Sequence, residues 1–218
     1  MRMRKKKNLI PRMAACGDLL VTDPASLRGT WRQHFEKSGK LYLEIGCGKG
    51  QFAVGTAARC PDDLLVAVEK TPDVLLLAME KARDAGLENL RFIGTDAATL
   101  GDAFAPDEVS RIYLNFSDPW PPKNRAKRRL THPNFLRVYD GILCPGGEIR
   151  MKTDNRALFE FSLCQLSQFG YPLLDVSIDL HARQDPDNVM TEYEQRFSAQ
   201  GMPIYYLCAQ KPMPTAEL

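Results

Sequence analysis

The sequence has no run of about 18 apolar residues, the length needed to cross a bilayer, and no Cys-x-x-Cys pair to start a structural zinc site. Its six cysteines (Cys16, Cys47, Cys60, Cys144, Cys164 and Cys208) are scattered through 218 residues. A chain of that length builds a core without disulfides, so they read as reduced, packed thiols. Histidine is scarce as well. His34, His132 and His181 have no partner at metal-ligand spacing, and no metal is expected. No apolar segment follows the basic amino terminus before Pro11 and Arg12, so the sequence predicts no signal peptide and a cytoplasmic address. With 44% apolar and 26% charged residues, the composition excludes collagen-like, mucin-like and wholly disordered chains.

Two segments lack acidic residues altogether. Residues 1–13 hold Arg2, Arg4, Lys5, Lys6, Lys7 and Arg12, and residues 123–129, KNRAKRR, hold five more cations. The remainder has 18 basic side chains against 27 acidic ones, so the net charge of +2 hides an acidic body carrying two basic segments. That separation points to a polyanionic partner.

Apolar runs alternate with helical patterns from residue 41 onward. Strands are predicted at 41–46, 64–70, 90–96, 110–117, 147–154, 173–180 and 204–211. Helices are predicted at 50–60, from Pro72 to a stop at Gly86, and at 134–143 and 156–170. This predicts an α/β, Rossmann-like fold: a mainly parallel seven-stranded sheet with helices on both faces, its last two strands pairing antiparallel at an edge. Residues 1–40 read as a basic N-terminal extension lying across a domain of residues 41–218.

Ligands of open parallel sheets bind beyond the carboxyl ends of the strands. Four acids fall there: Glu44, Glu69, Asp96 and Asp118. Glu44 precedes G-C-G-K-G (Gly46, Gly48, Gly50), a turn whose missing Cβ atoms let backbone approach a ligand. A dinucleotide fingerprint would need glycine at position 51, which is Gln51. A ring of acids disfavours phosphate and suits a cationic ligand such as the sulfonium and amino group of S-adenosylmethionine. Glu69 is placed to accept ribose hydroxyls, and Asp96 an adenine amino group. The segment NFSDPWPPKNRAKRRLTHPNF (115–135) then joins a proline-stiffened acid–aromatic turn, with Trp120 as a flat surface, to the basic run.

On YLEIGCGKG (42–50), VEK (68–70), GTDA (94–97), IYLNFSDPWPPKNRAKRRLT (112–131), GGEIRMKTDN (146–155) and TEYEQRF (191–197), the chain resembles the bacterial tRNA (guanine-N7-)-methyltransferase family. The SDPWP step fused to a basic run and the TEYE element are specific to that family. The resemblance implies a class I methyltransferase that moves a methyl group from S-adenosylmethionine to N7 of a tRNA variable-loop guanosine, nucleotide 46. By the same likeness, Glu44, Gly46, Gly48, Glu69, Asp96 and Asp118 bind the cofactor, and Asp118 is catalytic. Lys123, Asp154, Thr191, Glu192, Tyr193 and Glu194 face the guanosine. Arg125, Lys127, Arg128 and Arg129 contact RNA, as does the basic amino terminus. Neither a membrane nor a metal is expected, and the chain acts as a monomer or homodimer.

The family has a lysine directly after its W-P step; here that position is Pro122, and Lys123 follows. Thr191-x-x-Glu194 also reads as a capping box for a helix from residue 192, and Asp154 as a cap for a helix from Arg156. Two other functions use the same residues: methylation of an exocyclic base amine, or RNA binding by a non-catalytic relative.

Overall fold

Runs dense in Leu, Val and Ile, each followed by a helix, dictate parallel strands covered on both faces. The computed structural model describes residues 8–121 and 123–214. It contains β1 (Leu41–Ile45), β2 (Leu64–Val68), β3 (Leu90–Ile93), β4 (Val109–Asn115), β5 (Leu143–Thr153), β6 (Leu173–Ser177) and β7 (Tyr205–Gln210). The sheet order is β3-β2-β1-β4-β5-β7-β6. Strands β1 to β5 are parallel, and β7 runs antiparallel to both β5 and β6. The last two strands therefore pair antiparallel as expected, with β6 outermost.

The helices are α1 (Leu9–Ala14), α2 (Trp31–His34), α3 (Gln51–Arg59), α4 (Pro72–Asp84), α5 (Leu100–Ala103), α6 (Pro133–Ile142), α7 (Arg156–Gln168) and α8 (Glu192–Ser198). Alternate residues of the central strands enter two cores, as the period of a strand requires. Leu41, Leu43 and Ile45 pack with Leu136, Tyr139 and Leu158. Tyr42, Leu65 and Ala67 pack with Phe52, Leu75 and Met79 on the other face. Pro72 opens α4, and Gly86 (φ 65°) follows its end, the usual pairing of helix start and stop.

Residues 8–40 are built into these cores. Arg12 makes a forked pair with Glu80 of α4, at 2.8 and 2.7 Å. The Val21 amide donates to the Phe92 carbonyl at 2.9 Å, against the edge of β3. Trp31 is fully buried; it stacks on Phe104 and donates its indole N–H to the Ala103 carbonyl at 2.9 Å. The cations at positions 2–7 lie outside the described residues.

The direction of β7 has a geometric result. Ser177 ends β6 opposite Tyr206, and Tyr205 begins β7 opposite Thr153, the end of β5. The whole connection 178–204, with α8 inside it, thus lies at the carboxyl rim of the parallel strands.

Candidate active site

At that rim lies a cavity of about 590 Å³, within the range of small-molecule sites. Its walls include Gly46, Glu69, Asp96, Phe116, Asp118 and Trp120. Three of the four predicted acids and the first glycine of the turn therefore meet around one cavity. Gly46 has φ 78° and nothing within 4 Å of where a Cβ would stand, so its open side faces ligand space. Gly50 serves packing instead: a Cβ there would sit 2.7 Å from that of Ala78, so its absence lets α3 close on α4.

Glu69 is pinned at both oxygens. It accepts from the Thr71 amide at 2.9 Å and the Gly48 amide at 3.3 Å. Asp96 caps the short turn Ala97–Thr99 by accepting from the Ala98 amide at 3.0 Å. Its ion pair with Lys70, at 3.9 Å between two exposed side chains, contributes little.

Glu44, expected at the rim with the other acids, is instead buried at 1% exposure. It shares the inward face of β1 with Tyr42, directly before Ile45 and Gly46 of the cavity wall. Asn115 donates to one of its oxygens; the other, Oε2, is buried without a partner. Burial pushes this carboxyl up to about 8, against the pull of the Asn115 bond and the Lys152 charge. A buried carboxyl oxygen with no protein donor can accept from a ligand, and it fits an ammonium group. Together with pinned Glu69, capping Asp96 and the open glycine turn, the donor set fits S-adenosylmethionine.

Asp118 is exposed and stands between two residues in the left-handed backbone region, Phe116 (φ 51°) and Trp120 (φ 42°). Neither is glycine, and each such residue costs about 1–3 kcal/mol, so the turn must be held from outside. Arg128 lies 4.8 Å over the Trp120 ring. Arg129 donates to the carbonyls of Pro119 (2.9 Å) and Trp120 (3.3 Å) and lies 4.5 Å over the Phe161 ring. Of the four cations assigned to RNA, Arg125, Lys127 and Arg128 are exposed, whereas Arg129 is half-buried and turned inward. Lys127 and Arg128 also line the cavity. Pro122 and the Lys123 side chain lie outside the described residues, so the substrate role assigned to Lys123 has no geometry here.

The connection 178–204 supplies the facing wall. Tyr193 donates to Asp154 at 3.3 Å, stacks on Phe197 and approaches the Phe116 ring of the cavity at 5.0 Å. Asn155, and not Asp154, caps α7, accepting from the Leu158 amide at 2.9 Å; this leaves Asp154 for the rim. The expected capping box is present, with Thr191 and Glu194 bonded reciprocally at 2.9 and 3.3 Å.

Two residues expected to face the guanosine already have protein partners. Glu194 is fully buried and accepts from Lys152 at 2.6 Å and Asn188 at 2.8 Å, with His181 Nε2 at 3.2 Å. Glu192 pairs with Lys81 at 2.6 Å and Lys49 at 3.5 Å; burial opposes ionisation there, and the two lysines prevail, holding the carboxyl below its ordinary range. The capping geometry turns Glu194 inward, and the lysines of the neighbouring elements claim Glu192.

No sequence motif assigns Lys152 a role. It is buried, bonds the Val189 carbonyl at 2.7 Å and Asn188 at 3.1 Å, and its ammonium lies 5.0 Å over the Phe52 ring. A lysine inside a strand that is covered on both faces is the signal that could have found it. Among the described residues no cluster could hold a metal ion, and no helix is long and apolar enough to cross a membrane.

Residues 38–207 match a family model described as "Putative methyltransferase". The chain is 46% identical over 212 residues to the tRNA (guanine-N(7)-)-methyltransferase of Geobacillus kaustophilus, covering 97% of this chain and 98% of that one. It is 44% identical over 205 residues to the Bacillus subtilis protein of the same name, covering 94% and 96%. Among solved structures, a 16S rRNA (adenine(1408)-N(1))-methyltransferase from Catenulisporales acidiphilia, with cosubstrate SAM, superposes with a TM-score of 0.64 at 16% identity over 91% of this chain and 95% of that one. The 16S rRNA methyltransferase KamB gives 0.63 at 15% identity, over 84% and 92%. These two likenesses show the fold alone.

Proposed function

This chain belongs to the tRNA (guanine-N(7)-)-methyltransferase family, and we propose that its rim cavity binds S-adenosylmethionine and presents the methyl group to N7 of a guanine in tRNA. The observation that carries this reading is the meeting of Gly46, Glu69, Asp96 and Asp118 around one cavity whose outer wall also holds the cations Lys127 and Arg128. Acids hold a cationic methyl donor, and the bases beside them hold a polyanion.

Glu69 accepts ribose hydroxyls, Asp96 an adenine amino group, and the unpartnered oxygen of Glu44 the amino group of the methionine end. When bound, S-adenosylmethionine supplies a methyl group on a positively charged sulfur. Guanine N7 has an in-plane lone pair and no hydrogen, so no side chain needs to act as a general base. The protein's work is then placement, which can supply on the order of 7–11 kcal/mol. Phe116 and Trp120 shield the reacting edge from water. Asp118 accepts from the guanine N1–H or amino group, and its charge stabilises the positive charge that the methylated base acquires. Asp154 and Tyr193 receive the base at the rim. Arg125, Lys127 and Arg128 hold phosphates, contacts that fix register and read no sequence. The target is a variable-loop guanosine, nucleotide 46, and the enzyme works in the cytoplasm, where that tRNA is. All the residues named belong to one copy of the chain.

Incubation with labelled S-adenosylmethionine and unmodified bulk tRNA, followed by mapping of the labelled nucleoside, tests the reading. The expected product is 7-methylguanosine, recognised by its cleavage with borohydride and aniline. Label on an exocyclic amine, or cofactor binding with no transfer, would replace this function with another.

A further inference from the structure

We propose that Arg129 is a positioning residue that holds the Asp118 turn from behind, and that it does not grip phosphate. The inference rests on the assignment of Asp118 given above. A guanidinium presents a rigid planar fork of donors. In Arg129 the Nε–Nη2 edge of that fork is engaged by two consecutive carbonyls of the turn, Pro119 and Trp120, and its face lies against Phe161 of α7. The turn it holds needs holding, because Phe116 and Trp120 bracket Asp118 in a backbone region that side-chain-bearing residues rarely occupy. Arg125, Lys127 and Arg128 are exposed and Arg129 is not.

The placement has a functional corollary. The Arg129 amide closes the end of the short helix Lys123–Arg128 by donating to the Ala126 carbonyl at 3.0 Å. The helix that offers Arg125, Lys127 and Arg128 to phosphate therefore delivers Arg129 to the catalytic turn. Docking of tRNA and placement of Asp118 are thereby coupled through Arg129, so a phosphate bound in the wrong register would also misplace the acid.

The test uses the full chain, labelled S-adenosylmethionine and unmodified bulk tRNA. Arg129→Lys keeps the charge and loses the fork. It is expected to lower kcat by about 10- to 100-fold, the scale of a small misplacement. The tRNA Kd should stay within about 2-fold, and the slope of log Kd against log salt should not change. Arg125→Gln should do the reverse, weakening Kd and reducing the slope by about one. An Arg129→Lys enzyme with normal kcat, or an Arg129→Gln enzyme whose tRNA binding is weaker and less salt-dependent by about one unit of slope, would make Arg129 a phosphate contact and overturn the proposal.

The double variant with Asp118→Asn supplies a second reading. Arg129→Lys should add less than about 2-fold in that background, because two residues acting as one unit are not additive; a full additional loss would show Arg129 acting elsewhere. If Asp118→Asn alone leaves kcat unchanged, the assignment of Asp118 fails. If Asp118→Asn loses kcat and Arg129→Lys does not, the present inference alone fails. Should Arg129→Lys lower Tm, Phe161→Leu carries the test, since it removes the ring behind the guanidinium and keeps both carbonyl bonds. Its kcat should fall with Kd unchanged, and an unchanged kcat would count against the clamp.

Discussion

The side-chain amide of Asn115 donates to Glu44 Oε1 at 3.0 Å and leaves Glu44 Oε2 buried with no partner. Burial holds this carboxyl up at about 8, so without ligand it is mostly protonated at pH 7. An ammonium group at Oε2 favours the ionised form. Binding of S-adenosylmethionine at pH 7 should therefore release a proton, and affinity should climb as pH rises and level off above about 8. Calorimetry in two buffers of different ionisation enthalpy measures the proton directly; none released at pH 7 would contradict the assignment. The free protein has a matching signature. Its folded state keeps a proton that the unfolded chain gives up near 4.5, so this group makes stability fall as pH rises between 4.5 and about 8. Glu44→Gln should flatten both effects.

Asp118→Asn keeps a hydrogen-bond acceptor and removes the charge. Turnover should fall by about 10²–10³, the scale for loss of one preorganised electrostatic contact. The Kd for S-adenosylmethionine should move only a few-fold. Single-turnover rates against cofactor titration separate the two, and equal losses in both would assign Asp118 to binding alone.

Neutralising Arg125, Lys127 and Arg128 together should weaken tRNA binding and reduce its salt slope by about two to three. S-adenosylmethionine affinity should change little. Binding measured from low to physiological salt checks this, and an unchanged slope would move the phosphate grip to another surface.

Lys152→Met leaves Glu194, fully buried, with its strongest partner gone. Breaking such a pair from one side costs about 3–5 kcal/mol. Urea unfolding should show a lower midpoint with an unchanged m-value. The double variant Lys152→Met, Glu194→Gln should recover much of the loss, because no orphan charge remains.

Much of this arrangement is legible in the chain itself. Strand and helix periods place Glu69, Asp96 and Asp118 at strand ends, and the spacing of Thr191 and Glu194 announces the capping box that the structure contains. What is not legible is the direction of side chains whose neighbours come from far along the chain. Glu44 reads as a rim acid until Asn115, 71 positions later, closes over it. Nothing in KNRAKRR says which cation turns inward; that depends on where Pro119, Trp120 and Phe161 come to lie. Asp154 and Asn155 are both good helix caps, and the register of the chain leaving β5 decides between them. The likeness gives Glu192 and Glu194 to the guanosine, and the pairs they form are hidden because their lysine partners sit in α4, in the glycine turn and in β5.

The reversed course of β7 bears on how such an enzyme can change its target. A segment that leaves and rejoins the sheet on the same side can lengthen, shorten or be rewritten without any strand changing place. Each doubling of its length adds only about 0.6 kcal/mol of closure entropy. The strands that lead to Gly46, Glu69 and Asp96 keep their order through every such change. The connection can diverge while the strand order beside it stays the same.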